Sequence, residues 1–231
     1  MEIVRQLCAV IMPAACRLCG VALRRGEAGL CRGCHADLPH SGCACPRCGT
    51  ALPEARVCGA CLASPPRFDR VISAYAYAYP VDQLIVRLKY RRGLTLAQLL
   101  AHDLARRVRQ LDAPLPDCLL PVPLHRARLW RRGYNQALEV ARVLGRELDL
   151  PVCSDLVCRH RATPEQARLP LAARRANVRR AFALTRPAPY RRVAIVDDVL
   201  TSGATLGEVA RVLHRGGIEE VQAWVLARTQ Q

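Results

Sequence analysis

The sequence predicts an α/β fold, with a mainly parallel sheet flanked by helices and a small cysteine-rich module at the amino end. Three observations carry that prediction. Apolar, strand-like runs alternate with helical patterns from about residue 71 to the carboxyl end, which is how a parallel sheet with right-handed crossovers is written. One run, residues 193–196, ends in two adjacent acids and a small hydroxyl-rich turn. Eight cysteines in four C-x-x-C pairs fill one 46-residue stretch ahead of the first strand.

The cysteine module comes first in the chain. Cys16 with Cys19, Cys31 with Cys34, Cys45 with Cys48, and Cys58 with Cys61 form the pairs, with Gly20, Gly33, Gly49 and Gly59 at or beside the knuckles. Each C-x-x-C turn offers two thiolates and Zn²⁺ takes four in a tetrahedron, so the spacing predicts two structural Cys₄ zinc ribbons in tandem. Ligation in sequence order is expected, Cys16, Cys19, Cys31 and Cys34 in one site and Cys45, Cys48, Cys58 and Cys61 in the other, with interleaved ligation as the alternative that the spacing also satisfies. A stretch this poor in large apolar residues has no core of its own, so metal drives its folding with roughly 10–16 kcal/mol per structural site. A redox role needs one C-x-x-C opening a helix in a βαβ unit, which four consecutive pairs do not match. His35, His40 and Cys43 are spare donors, expected to be bystanders.

Thirteen cysteines without an export signal point to the reducing cytoplasm. The apolar start has Glu2 near its beginning and runs at once into the first knuckle, so it reads as a short docking helix and not a signal peptide. No window approaches the roughly 20 apolar residues of a membrane span. The expected division is a double zinc ribbon with its short helix over 1–63 and an α/β domain over 64–231.

After a linker around PPRFD, residues 71–79 read as a strand with Tyr75, Tyr77 and Tyr79 on one face, where core packing is favoured over base stacking. Pro80 ends it, and VDQLIVR forms a short helix before the basic cluster Arg87, Lys89, Arg91 and Arg92. Thr95 is placed as the cap of a helix to about Leu111, with Leu96, Leu99, Leu100, Leu104 and Val108 on one face. In CLLPVPLHRARLWRRGYNQ (118–136) an apolar strand is stopped by Pro121 and Pro123, and four arginines before Gly133 make the loop an anion site. A helix over 135–149 and a strand near 152–157 follow. From Arg159 to Arg192 there are ten arginines against one acid, Glu165, and Pro164 and Pro170 argue for a mobile basic loop in part of it. The last helix runs to about Arg215 and stops at Gly216 and Gly217, and VQAWVLA supplies the last strand.

The acids Asp197 and Asp198 stand at the carboxyl end of the 193–196 strand, where open α/β sheets place ligands. Thr201, Ser202, Gly203, Ala204 and Thr205 offer backbone N–H groups and hydroxyls to an anion at the start of a helix from about Leu206. Carboxylates for sugar hydroxyls or Mg²⁺, beside amides for a phosphate, imply a ribose phosphate. The string VAIVDDVLTSGAT resembles the phosphoribosyl pyrophosphate (PRPP) motif of type I phosphoribosyltransferases. That resemblance implies a type I phosphoribosyltransferase-like fold, with Asp197 and Asp198 on the ribose hydroxyls as the catalytic pair and residues 201–205 on the 5′-phosphate.

Five segments in order extend the likeness: the cysteine module, LKYRRG (88–93), PVPL with Arg128, Arg132, Gly133, Tyr134, Asn135 and Gln136, RATPEQ with Arg175 and Asn177, and the PRPP loop. Together they resemble the ComF family. The resemblance implies a pyrophosphate loop at Pro121, Val122, Pro123 and Leu124, further phosphate contacts from Arg132, Gln166 and Arg175, and Mg²⁺ carried with PRPP. It also implies a part in DNA uptake and natural transformation, handling incoming single-stranded DNA beside a competence helicase or ATPase.

Charge supports a polyanion: 35 basic against 19 acidic residues leave +16, and one PRPP needs only a few cations. Arg179 and Arg180 are expected to lie away from the PRPP phosphates. The other class is a metabolic phosphoribosyltransferase acting on an unidentified base or amine. The acceptor-selecting hood should fall between about Phe68 and Gly93, and those residues name no substrate.

Overall fold

The structure is a computed structural model that describes residues 14–88, 94–111, 114–162 and 170–230. Its strands are β1 (Arg70–Ala76), β2 (Cys118–Pro121), β3 (Val157–Arg159), β4 (Phe182–Leu184), β5 (Arg192–Leu200) and β6 (Glu220–Arg228). Its helices are α1 (Arg32–Ala36), α2 (Gly59–Ala63), α3 (Val81–Arg87), α4 (Leu94–Gln110), α5 (Arg126–Arg132), α6 (Gln136–Leu148), α7 (Leu171–Val178) and α8 (Ala204–Arg215).

Four strands form a wholly parallel sheet in the order β1-β6-β5-β2, while β3 and β4 pair antiparallel outside it. The central strands are apolar because both of their faces are covered. Ala194, Val196, Trp224 and Leu226 share one core with Leu100 and Leu104 of α4 and Val140 and Leu144 of α6. Val193, Ile195, Val221, Ala223 and Val225 share the other with Val209 and Leu213 of α8. That split by odd and even residue is the two-residue period of a strand sorted onto two layers of helix.

Both outer edges of the sheet are taken. Beyond β2, Leu119 N donates to Pro151 O at 2.9 Å and Cys153 N to Leu119 O at 2.9 Å. Beyond β1, the cysteine module supplies the partner: Ser41 N donates to Ala74 O (2.8 Å), Ala76 N to Pro39 O (2.8 Å) and Val71 N to Pro46 O (2.8 Å). Leu30 and Leu38 carry the module into the core around α4. Asp103, only 3% exposed, takes His35 Nε2 at 2.7 Å, Arg106 at 2.8 Å and the Tyr75 hydroxyl. His35 therefore docks the module, and His40 packs its ring on Tyr75 at 5.0 Å, where burial lowers its pKa.

Several boundaries differ from expectation. β1 ends at Ala76, one rung before Tyr77 N makes the last bond to β6 at Arg228 O (2.8 Å); Tyr75 is buried while Tyr79 is 72% exposed, so no aromatic face runs to residue 79. α4 already includes Leu94, so Thr95 lies inside it. The arginines after PVPL form helix α5 and not a loop: the His125 side chain accepts from Ala127 N and Gly133 closes the other end. The strand expected near 152–157 is divided between an isolated bridge at Val152 and β3. β5 continues through both acids to Leu200 because β6 runs beside it that far, and α8 opens at Ala204. The amino-terminal docking helix, most of LKYRRG and residues 163–169 lie outside the described residues. Among those described, no helix is long and apolar enough to cross a membrane.

Candidate functional site

The cysteines gather as two tetrads in sequence order, Cys16, Cys19, Cys31 and Cys34 in one, Cys45, Cys48, Cys58 and Cys61 in the other, with Sγ atoms within 4.8 Å of one another. A tetrahedron with Zn–S bonds of about 2.3 Å has edges of about 3.8 Å. The Cys19–Cys31 Sγ distance of 3.7 Å and the Cys48–Cys58 distance of 3.6 Å match it, so each donor set fits Zn²⁺. Neither His35, His40 nor Cys43 belongs to a tetrad. Burial works against the Cys16 thiolate, but the backbone amides of Cys19, Cys31 and Leu18 outweigh it and bring the thiol down to about 6. In the same tetrad its cysteine neighbours Cys19 and Cys31 push Cys34 up to about 12, so loading with metal must release protons.

The second tetrad presses on the sheet. Gly49, at φ +71 in its knuckle, leaves no room for a Cβ, which would sit 2.9 Å from Val71 Cγ1. Cys48 O accepts from Arg228 Nε at 2.8 Å, and the same guanidinium donates to Thr201 O at 3.0 Å and Leu200 O at 3.3 Å. One buried arginine thus spans the zinc knuckle and the first residues of the hydroxyl-rich turn.

At the carboxyl end of the sheet the quoted motifs meet. Val122 N extends the β2 ladder to Val196 O (2.9 Å), and Asn135, the cap of α6, holds Val122 O through Nδ2 at 3.0 Å. Arg132 donates to Gln136 Oε1 at 2.6 Å, and Gln136 Nε2 donates to Asp198 Oδ2 at 3.3 Å. Asp198 N in turn donates to Asp197 Oδ1 at 2.9 Å. Withdrawal from solvent, with the Asp198 carboxylate second, pushes the Asp197 carboxyl well above the usual carboxylate range, although the residue keeps partial exposure. Pro121 and Val122 are buried, while Pro123, Leu124, Arg132 and residues 201–205 are half-buried. Gly203, at φ +71, turns the chain into α8 at its cap position, and the first amide of the helix, Ala204 N, donates to Ser202 Oγ at 3.4 Å.

Gln166 lies outside the described residues, and Arg175 belongs to α7. The sequence reading did not single out Gln136 for the site, and it placed Arg159 only at the start of a basic stretch read in part as a mobile loop, whereas it ends strand β3. Arg159 is buried against the Phe182 ring, and its pKa falls to about 10 through burial, with Arg128 lowering it further and Asp197 opposing.

Against expectation, Arg179 and Arg180 are not remote from the turn. They line a cavity of about 780 Å³ together with residues 201–204, Arg67, Arg211, Arg215 and Arg228. Glu208 is its acid, held by Arg211 (2.6 Å) and by the backbone N–H of Arg180 (2.6 Å). Asp197 and Asp198 do not line it, so the turn separates the acids from an arginine-rich cleft along α8.

Family models match a double zinc ribbon domain over residues 7–62 and a phosphoribosyl transferase domain over residues 129–231. Competence protein F of Haemophilus influenzae is 40% identical over 226 residues, covering 92% of this chain and 96% of its own. The chain belongs to the ComF family. DNA utilization protein YhgH of Escherichia coli K12 is 37% identical over 223 residues, covering 94% of this chain and 98% of its own. Competence protein ComFC of Bacillus subtilis is 25% identical over 216 residues, covering 90% and 87%. The fold is that of a phosphoribosyltransferase domain with a cysteine-rich zinc-ribbon region before it, and the two tetrads support two structural zinc ions.

Proposed function

We propose that this ComF protein binds PRPP, or a related ribose phosphate with Mg²⁺, at the carboxyl end of β5 and handles single-stranded DNA during DNA uptake. The hydrogen-bonded path from Arg132 through Gln136 to Asp198 carries the first half, because it joins the PVPL–RRGYNQ segment to the acids across two strands. In this reading Asp197 and Asp198 take the ribose hydroxyls, and the turn amides of 201–205 take the 5′-phosphate. Pro121, Val122, Pro123, Leu124 and Arg132 frame the pyrophosphate, with Gln166 and Arg175 completing the phosphate contacts. Mg²⁺ would be held mainly by pyrophosphate and ribose oxygens, neutralising the charge that leaves with pyrophosphate. The names of the relatives, competence protein and DNA utilization protein, support the DNA half, as do the net charge and the arginine cleft beside α8.

Calorimetric titration with PRPP tests the first half, with and without Mg²⁺. Asp197→Asn or Asp198→Asn should weaken binding at least tenfold, about 1.4 kcal/mol, with the fold intact. Absence of PRPP affinity in the unmodified protein would reduce the site to a relic.

For the DNA half the useful residue is Arg215, which lies 11 residues into α8 from Ala204, roughly 16 Å from the turn at 1.5 Å per residue. R215Q should lower oligonucleotide affinity, reduce the log–log salt slope by about 0.7 for each phosphate that is no longer neutralised, and leave PRPP binding alone. If no oligonucleotide binds at low salt, the metabolic phosphoribosyltransferase acting on a base or amine is the better account.

A further inference from the structure

Trp130 is 91% exposed, although a tryptophan side chain is mostly buried in folded proteins and the only other one in the chain, Trp224, is 0% exposed. It stands on α5, RARLWRR, which carries four arginines and no acid. Arg126 lies one helical turn before it on the same stripe, and Arg131 follows it directly. The helix is firmly held: Gly133 N closes it on Leu129 O at 2.7 Å, Arg132 is tied to Gln136 at 2.6 Å, and the Tyr134 hydroxyl donates to Leu88 O. The indole is therefore presented to solvent by an anchored element.

We propose that Trp130 is a stacking platform for a base of single-stranded nucleic acid, with Arg126 and Arg131 of α5 taking the flanking phosphates. This rests on the single-stranded DNA reading above and names a contact point for it. A flat π face beside cations is what a strand with unstacked bases fits, whatever its sequence. A duplex keeps its bases stacked and offers the indole nothing. The apolar company of Trp130 on this helix is Leu129, 41% exposed, which is small for a protein-docking face, whereas the surrounding charge complements phosphate.

The chain supplies its own probe. Trp224 is buried with its Nε1 donating to Gln222 Oε1 at 2.9 Å, so a ligand-induced change in tryptophan emission reports Trp130. The zinc-loaded full chain is titrated at low salt with a fluorescently labelled thymidine oligonucleotide, reading anisotropy, and with the unlabelled strand, reading emission. Emission should be quenched with the same midpoint as the anisotropy rise, and a duplex of equal length should not quench. Trp130→Ala should weaken oligonucleotide binding about tenfold and Trp130→Phe should restore most of it. The salt slope should be unchanged, because removing a stacked ring leaves every phosphate neutralised as before. Thermal unfolding and PRPP titration of both variants check the fold.

Oligonucleotide binding with unaltered emission and full affinity in Trp130→Ala would overturn the platform and leave the DNA reading standing. No oligonucleotide binding by the unmodified chain would overturn both. Quenching by free adenine or another nucleobase in the presence of PRPP, but not by the oligonucleotide, would also overturn the platform by giving Trp130 to an acceptor base.

Discussion

Replacing Arg228 with methionine should loosen the second zinc site and the hydroxyl-rich turn together. Arg228 is 5% exposed, and its guanidinium donates to Cys48 O (2.8 Å), Thr201 O (3.0 Å), Leu200 O (3.3 Å) and Thr229 Oγ1 (2.9 Å). Methionine keeps the apolar stem and removes every donor. Leu200 O keeps Thr229 N at 3.1 Å, so the carbonyls of Cys48, Thr201 and Thr229 are the acceptors that lose this donor. A fully buried orphaned acceptor costs about 1–3 kcal/mol, but Cys48, Thr201 and Thr229 are half-buried and water reaches them in part, so the losses together cost about 2–4 kcal/mol. Relief of the buried charge offsets part of that, leaving about 1–3 kcal/mol. Urea unfolding of zinc-loaded R228M measures the total, zinc release to a chromogenic chelator resolves the sites, and PRPP titration reads the turn. We expect the second tetrad to release faster, the first to be unchanged, and PRPP affinity to fall. R228K, which keeps a charge but not the planar fork, should lie between the two. A stability change within about 0.5 kcal/mol, or equal release from both tetrads with unaltered PRPP binding, would refute the coupling.

Metal analysis of freshly reduced protein should return two zinc ions per chain, and one in the Cys45→Ser, Cys61→Ser double variant; no zinc in the unmodified chain would refute the ribbons. Asp103→Ala strips the acceptor from His35, Arg106 and the buried Tyr75 hydroxyl and should cost about 3–5 kcal/mol, whereas Asp103→Asn keeps an acceptor and should cost less. Both are read by denaturant midpoints. Burial opposes ionisation of Glu208, but Arg211, the Arg180 amide and Arg67 outweigh it and set its pKa below the ordinary 4.5. A lowered folded pKa contributes stability above 4.5 that is lost as pH falls below it, so the wild-type advantage over Glu208→Gln should shrink on acidification. An advantage that is constant from neutral to acid pH would refute that.

What the sequence made legible is what is local. A C-x-x-C knuckle is four residues, so the eight ligands could be named, while the order of ligation is a matter of geometry because spacing alone allows two. The apolar run 193–196 declared a buried strand because helices cover both of its faces. How far β5 continues was set by β6, whose register reaches Leu200 opposite Arg228, and no residue of β5 carries that information. His35 looked like a spare metal donor because its partner Asp103 lies 68 residues away. Arg179 and Arg180 looked remote from the hydroxyl-rich turn for the same reason. They line one cavity with it beside α8, which begins 24 residues after Arg180.

The arrangement gives the zinc ribbons a structural argument beyond their own folding. A parallel sheet whose edge strand is open offers unpaired N–H and C=O groups to any other strand. Here residues 39–46 occupy that edge of β1; they follow the first tetrad and include Cys45 of the second, so the segment that covers the edge is continuous with both knuckles. β1 in turn pairs with β6 along Arg70 to Ala76, and β6 ends on Arg228, which reaches both Cys48 O and Thr201 O. The second cysteine tetrad, the sheet edge and the hydroxyl-rich turn are thereby joined by contiguous hydrogen bonds and not by proximity alone. A ribbon free to detach would unfasten the start of the turn as well as expose the sheet, which is a physical reason for the two modules to be held in one compact unit.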